Sequence, residues 1–263
     1  MRQKLGQHFL INQKILQSIA EEFSGGNFGT IIEIGPGHGE LTKELIKNTE
    51  CKIIAIERDP ELAEELNNNF GEEKRLEIIA GDALKKIEAI VLNLKQKNKT
   101  YAITGNIPYY ITGYLIRIIG ELDFKPIKIV LTIQKEVAER IIAEPPEMNR
   151  LSAAVQFWAE PKITRIIKKE EFKPKPKVDS AIITLEIKSG AYLCDPQTYD
   201  QAINAIFKQP RKNILNNLSE NMPNLDKNWI EQELSKLGIS PKLRPQNLSV
   251  LEIIKIAQKI LKK

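Results

Sequence analysis

Histidine and cysteine are nearly absent from this 263-residue chain, with two of each. His8 and His38 are too few for a histidine-rich metal centre, and they leave a Ser-His-Asp triad few candidates. Cys51 and Cys194 are far apart and lack paired-ligand spacing, so a reducing cytoplasm is the expected location. No apolar run approaches the roughly 20 residues needed to span a bilayer. The first residues, Met-Arg-Gln-Lys-Leu-Gly, lack the apolar stretch of a secretory signal. Internal repeats and low-complexity segments are missing as well. These absences exclude membrane and secreted classes from the expectation, and nothing calls for a metal.

What is present suits a globular protein with a real core: 42% hydrophobic and 28% charged residues, in a length that holds one large domain and a smaller one. The net charge of +5 is unevenly placed. Residues 1–187 carry 27 basic and 27 acidic side chains, whereas residues 188–263 carry 12 and 7. A second basic cluster precedes that segment: Lys162, Arg165, Lys168, Lys169, Lys173, Lys175 and Lys177, against Glu170 and Glu171. Such clusters suit a phosphate-facing surface for nucleic acid, and equally a solvated lysine-rich face. Charge alone does not decide.

Apolar runs of strand length alternate with amphipathic stretches over the first two thirds. Strands are expected at 30–34, 52–56, 76–80, 101–104 and 127–132, and helices at 40–47, 59–69, 112–120 and 134–143. The alternation predicts a doubly wound, mostly parallel α/β sheet of Rossmann type. Residues 163–167 and 181–187 then read as an antiparallel pair closing one edge. Beyond Ile187 the spacing becomes helical, at 197–207, 211–218, 227–237 and 249–261, with Pro or Gly in the gaps. The expected division is therefore 1–188 for the α/β domain and 189–263 for a smaller all-α domain that carries the charge excess.

Gly35-Pro-Gly-His-Gly39 follows a strand and opens a helix, where a glycine turn lets backbone approach a ligand. A dinucleotide fingerprint wants a small residue at position 40, but Glu40 stands there. A carboxylate would repel a pyrophosphate at the helix start that should welcome it. An adenosyl ligand carrying a sulfonium meets no such conflict, so the turn favours S-adenosyl-L-methionine over NAD. Glu57 ends the second strand, where an acidic side chain can take both ribose hydroxyls. Asp82 ends the third and can accept from the adenine amine. A strand-end residue facing water is the weaker alternative for each carboxylate alone.

Asn106-Ile-Pro-Tyr109 ends the fourth strand at the same sheet edge. An exocyclic amine is a poor nucleophile because its lone pair is delocalised into the ring. Accepting its hydrogens with the Asn106 side-chain carbonyl and a neighbouring backbone carbonyl favours the pyramidal geometry. Pro108 stiffens the loop and offers no N–H, and Tyr109 can stack on the base. Catalysis then needs alignment more than a strong base. By itself the tetrapeptide is also a common turn. Phe172-Lys-Pro-Lys-Pro-Lys-Val-Asp-Ser180 joins the last two strands; its lysines suit phosphates and Phe172 could close on the other face of a flipped base. A basic surface hairpin with a buried phenylalanine is an equally good reading of the segment by itself.

With these residues in view the chain closely resembles the ribosomal RNA adenine dimethyltransferases, and within them the bacterial enzymes of small-subunit (16S) rRNA. The resemblance is carried by 6–10, 33–42, Glu57 with Asp59, 81–84, 106–109, 134–140, 150–152 and 172–181, and extends through 208–218 and Arg244-Pro245. It implies a class I methyltransferase domain followed by a helical domain that positions RNA. It implies dimethylation at N6 of two adjacent adenosines near the 3′ end of 16S rRNA, with S-adenosyl-L-methionine as donor, and a part in small-subunit biogenesis. The implied partner is 16S rRNA within the small ribosomal subunit or its precursor, approached by a monomer. Carried over residue by residue, Gln7, His8, Leu10, Gly35, Glu57, Asp82 and Asn106 would bind the cofactor. Asn106, Tyr109 and Phe172 would hold the target base. The family often has Asn where this chain has His8, and Tyr110 and Gly113 depart from its common Asn and Pro. Two other readings share the fold: a large-subunit (23S) methyltransferase of the macrolide-resistance type, and a non-catalytic assembly factor. A protein-glutamine methyltransferase would want Pro in place of Ile107.

Overall fold

The structure is a computed structural model that describes residues 7–188 and 193–261. In chain order its strands are β1 (Phe9–Leu10), β2 (Thr30–Ile34), β3 (Lys52–Glu57), β4 (Leu76–Ala80), β5 (Tyr101–Asn106), β6 (Lys128–Gln134), β7 (Ala159–Ile167), β8 (Phe172–Lys173) and β9 (Ser180–Ile187). The helices are α1 (Gln13–Glu21), α2 (Glu40–Asn48), α3 (Pro60–Phe70), α4 (Ala83–Gln96), α5 (Thr112–Glu121), α6 (Lys135–Ile142), α7 (Arg150–Trp158), α8 (Pro196–Ile206), α9 (Ile214–Asn221), α10 (Lys227–Lys236) and α11 (Val250–Ile256). The last continues as a wider π turn over Ala257–Leu261.

Seven strands form one sheet in the order β4-β3-β2-β5-β6-β9-β7. The pairs β3–β4, β2–β3, β2–β5 and β5–β6 are parallel, and β6–β9 is antiparallel. This is the expected doubly wound, mostly parallel sheet, with the two late strands at one edge. Its centre is continuous in apolar residues because helices cover both faces: Ile31, Ile32, Ile53, Ala55, Ile103, Val130 and Leu131 are all fully buried or nearly so.

Helix starts are set by short polar caps. Asp59 accepts from the Glu61 N–H with Pro60 at the first helical position, and Asp82 accepts from the Leu84 N–H at the start of α4. Three helices fall outside the expected set: α1, α4 and α7. Each buries an amphipathic stripe, in α4 Ala83, Ile87, Val91 and Leu94.

The chain divides into two compact units. One holds residues up to Ala138 together with Pro161–Ile187; the other holds Glu139–Glu160 and everything from Lys188. The helical unit is thus built from two stretches of sequence rather than beginning at 189. The reason is apolar packing: Met148 and Ala153 share a core with Tyr199, Ile203, Leu218, Ile230 and Ile253. Phe157 stacks on Tyr199 with ring centroids 4.0 Å apart, and the Tyr199 hydroxyl donates to the Ala153 carbonyl. Among the described residues, no helix is long and apolar enough to cross a membrane.

Candidate active site

The sheet order reverses at β2, which pairs with β3 on one side and β5 on the other. From β2 the chain winds outward through β3 and β4, then returns to β5 and winds the other way. Ligands of open α/β sheets bind outside the carboxyl ends of the strands at such a switch point. Here those ends carry Gly35 after β2, Glu57 closing β3, Asp82 after β4 and Asn106 closing β5. All four line one cleft, together with Gln7, His8, Phe9, Gly37, Arg58, Tyr109 and Tyr110.

The glycine turn forms because its backbone adopts conformations that side chains avoid: Gly35, Gly37 and Gly39 have φ of 67°, 63° and 90°. A Cβ at Gly37 would sit 2.7 Å from the Phe9 ring, whereas one at Gly35 meets nothing nearer than the Asn106 carbonyl at 4.0 Å. Gly37 is therefore small for packing, and Gly35 keeps the floor of the cleft open.

Glu57 fastens this turn. One carboxylate oxygen accepts from the Gly37 N–H at 3.0 Å and the other from the Asp59 N–H at 2.9 Å. Only 1% of the residue is exposed. Burial lifts its pKa, and the backbone donors oppose that shift. Beneath it Glu33 accepts from the Thr42 hydroxyl at 2.7 Å. Burial raises Glu33 to about 8, with Thr42 pulling the other way, so this carboxyl is largely protonated at neutral pH.

A group whose folded pKa exceeds its unfolded value stabilises the fold fully below the unfolded value, and that contribution is lost as pH rises through the folded one. Melting of the wild type is thus expected to weaken from about pH 5 towards pH 9. Glu33→Gln, which mimics the neutral acid, should flatten that trend. Half-buried Glu40 and buried Glu57, shifted in the same direction, leave a residual slope. Melting curves across this range check it, and a parallel slope in the variant would mean that Glu33 is ionised in the folded protein.

Asn106 is tied to the start of the chain: its Nδ2 donates to the His8 carbonyl at 2.6 Å. That bond makes Oδ1 the accepting end of the amide. The His8 ring is held in turn, with Nδ1 2.7 Å from the Pro174 carbonyl. A carbonyl can only accept, so Nδ1 carries the proton. Tyr109 shares a hydrogen bond of 2.8 Å with Ser180 Oγ and its ring centroid lies 5.9 Å from that of His8. Burial raises the Tyr109 pKa, which keeps its hydroxyl neutral.

Two expected site residues lie elsewhere. Leu10 and Phe172 are each 3% exposed and belong to the core beneath α1 and α2. They are directly opposed partners where β1 pairs antiparallel with β8, so they share one face of that ribbon. Their neighbour Phe9 points the other way and lines the cleft.

Sequence reasoning also missed Gly105, Arg58 and Ser180. Of these Gly105 carries the clearest steric demand. A Cβ there would come within 2.3 Å of the Ile34 carbonyl oxygen, on backbone that cannot swing aside. Gly105→Ala is expected to force β5 from β2, cost about 1–3 kcal/mol, and displace the adjoining Asn106. Thermal melting and turnover should fall together; an undisturbed variant would mean that the two strands have slack.

The family described as "Ribosomal RNA adenine dimethylase" matches residues 1–262. The chain is 35% identical over 253 residues to the Ribosomal RNA small subunit methyltransferase A of Dehalococcoides mccartyi, covering 95% of this chain and 85% of that one. It is 37% identical over 265 residues to the protein of the same name from Shouchella clausii, covering 98% and 88%. Among solved structures, a dimethyladenosine transferase from Plasmodium falciparum superposes with a TM-score of 0.81 at 26% identity, over 97% of this chain and 98% of that one. The 23S rRNA methyltransferase ErmE shares the fold, with a TM-score of 0.73 at 22% identity over 97% and 100%. With a match over almost its whole length, the chain belongs to the ribosomal RNA adenine dimethylase family.

Proposed function

We propose that this methyltransferase uses S-adenosyl-L-methionine to dimethylate N6 of two adjacent adenosines near the 3′ end of 16S rRNA, in the small subunit or its precursor, as a step of subunit biogenesis. The observation that carries the reading is the meeting, at one switch point, of the glycine turn fastened by Glu57 with the segment Asn106–Tyr109.

The cleft suits the cofactor by its chemistry. Among the described lining residues Glu57 and Asp82 are acidic and Arg58 is the one cation. Such a lining favours a sulfonium with hydroxyl groups over a pyrophosphate. Bound there, the cofactor supplies an electrophilic methyl group. Glu57 keeps lone pairs beyond those given to Gly37 and Asp59, and these would take the ribose hydroxyls. Asp82 spends one oxygen on the α4 cap and would offer the other to the adenine amine. Asn106 Oδ1 would accept from the target amine, and Tyr109 would stack on its ring. No strong base is needed, because the amine proton becomes acidic once the methyl group arrives.

Of the basic cluster, Lys168 pairs with Asp179 and Lys175 with Glu170, while Lys162, Lys173 and Lys177 are exposed. Replacing these three by Ala should lower the salt slope of RNA binding by up to about two units. An unchanged slope would make the cluster a bystander.

The decisive experiment is methyl transfer from labelled S-adenosyl-L-methionine to small subunits that lack the modification, followed by nucleoside analysis for the modified base and primer extension for its positions. Dimethyladenosine at two adjacent 16S positions is the expected result. Transfer to 23S rRNA in a parallel assay on large-subunit rRNA, with none to small subunits, would reassign the substrate. No transfer, with cofactor and subunit binding intact, would make the chain an assembly factor.

A further inference from the structure

The helical run beginning at Tyr109 shows water an unusual face. Tyr110 is 60% exposed and Tyr114 54%, although an exposed helix face ordinarily carries charged or small polar residues. The two rings are four residues apart, so they lie about one turn from each other on the same side. The opposite side, with Leu115, Ile116, Ile118 and Ile119, is buried and anchors α5 without them. Gly113 lies between the rings, and a Cβ built there meets nothing within 4 Å. The surface is therefore open to an approaching ligand.

Cations flank both rings. Arg58 Nη1 donates to the Tyr110 hydroxyl at 3.2 Å, and both residues line the mouth of the cleft. The Arg117 guanidinium carbon lies 6.0 Å from the centroid of the Tyr114 ring, while its Nε donates to Glu121 at 2.9 Å. Aromatic rings beside guanidinium groups are the combination that stacks bases and neutralises phosphates along a single strand. The stripe is continuous with the cleft, because Tyr110 directly follows Tyr109.

We propose that Tyr110 and Tyr114 form a stacking platform for unpaired nucleotides flanking the target adenosine, with Arg58 and Arg117 facing the RNA backbone. This rests on the reading of the cleft as an rRNA methylation site, and adds to it the residues that place the strand beside the target. One base would leave the stack for the cleft while its neighbour stays outside on the tyrosines.

The test measures methyl transfer by the full chain to unmethylated small subunits, varying subunit and cofactor concentration separately. Tyr114→Ala should raise the KM for the subunit about tenfold, within the range of one base–aromatic stack, and leave the cofactor dissociation constant in place. Tyr114→Phe, which keeps the ring, should restore the wild-type KM. In an RNA oligonucleotide of the target loop, 2-aminopurine beside the target should be quenched by the wild type and less by Tyr114→Ala. If that variant folds poorly, Tyr114→Leu keeps bulk without a π face and should show the same rise in KM. An unchanged KM and unchanged quenching in an active, folded variant would overturn the platform alone. A Phe variant as impaired as the Ala variant would overturn stacking in favour of the hydroxyl. A wild type that methylates no RNA would overturn the reading of the cleft itself.

Discussion

Asn106→Ala lowers the rate of methyl transfer by about 10²–10³-fold, the usual cost of removing one preorganised polar group from a reacting centre, while the cofactor dissociation constant moves only a few-fold. The expectation follows from how the amide is held. Nδ2 is committed to the His8 carbonyl, so the orientation of Oδ1 is set before any substrate arrives. Alanine removes the acceptor and also releases the chain start from β5. Asn106→Asp separates the two effects: its carboxylate can accept from the amine but cannot donate to His8. An intermediate rate for Asp would assign part of the loss to the tie and part to the acceptor. Single-turnover transfer with calorimetry of cofactor binding measures both quantities. Full turnover by the alanine variant would sink the catalytic assignment.

Glu57→Ala should act on the other half of the site. The carboxylate accepts from the Gly37 and Asp59 N–H groups in a place almost closed to water. Its removal leaves two buried donors unpaired, at about 1–3 kcal/mol each, and takes away the acceptor for the ribose. Cofactor affinity is expected to fall at least ~100-fold, the equivalent of nearly 3 kcal/mol. Melting should drop by several degrees, since ~1 kcal/mol moves Tm by roughly 2–4 °C at this size. Glu57→Gln keeps one accepting oxygen and should fall between. Because burial raises the Glu57 pKa, wild-type cofactor affinity should rise with pH through the acid range as the carboxylate ionises. A flat profile there, or tight binding by the alanine variant, would remove Glu57 from the site.

The parts of this structure legible in the chain are those where local pattern and tertiary demand agree. Alternating apolar runs predict β2 to β6, and Asp59-Pro60 predicts the start of α3. Glycines at 35, 37 and 39 predict a turn that only positive φ can build. Asp82 is partly legible: as a strand-end acid it is expected in the cleft, but its second task, capping α4, needs the helix that follows to be seen. What stayed hidden depends on pairing across long separations. Nothing local in His8-Phe9-Leu10 says which neighbour faces the cleft. That is decided by its register with β8, which sends Leu10 and Phe172 together into the core. The same holds for α7, whose apolar face finds its partners in α8 rather than in the strands around it in sequence. Gly105 escapes notice because its demand comes from the Ile34 carbonyl, on a strand many residues earlier.

The β1–β8 ribbon also has a consequence for the order in which the protein comes into being. Residues 8–12 leave the ribosome early, yet their partners are Glu171, Phe172, Lys173 and Pro174. At about 5–20 residues per second, the start of the chain waits on the order of ten to thirty seconds for the strand it pairs with. A nascent chain stalled just past α6 already holds the glycine turn, Glu57, Asp82 and Asn106, but lacks the strand that seats His8 and Phe9. The cleft therefore waits for closure on two segments whose contacts span 159 to 166 residues of chain.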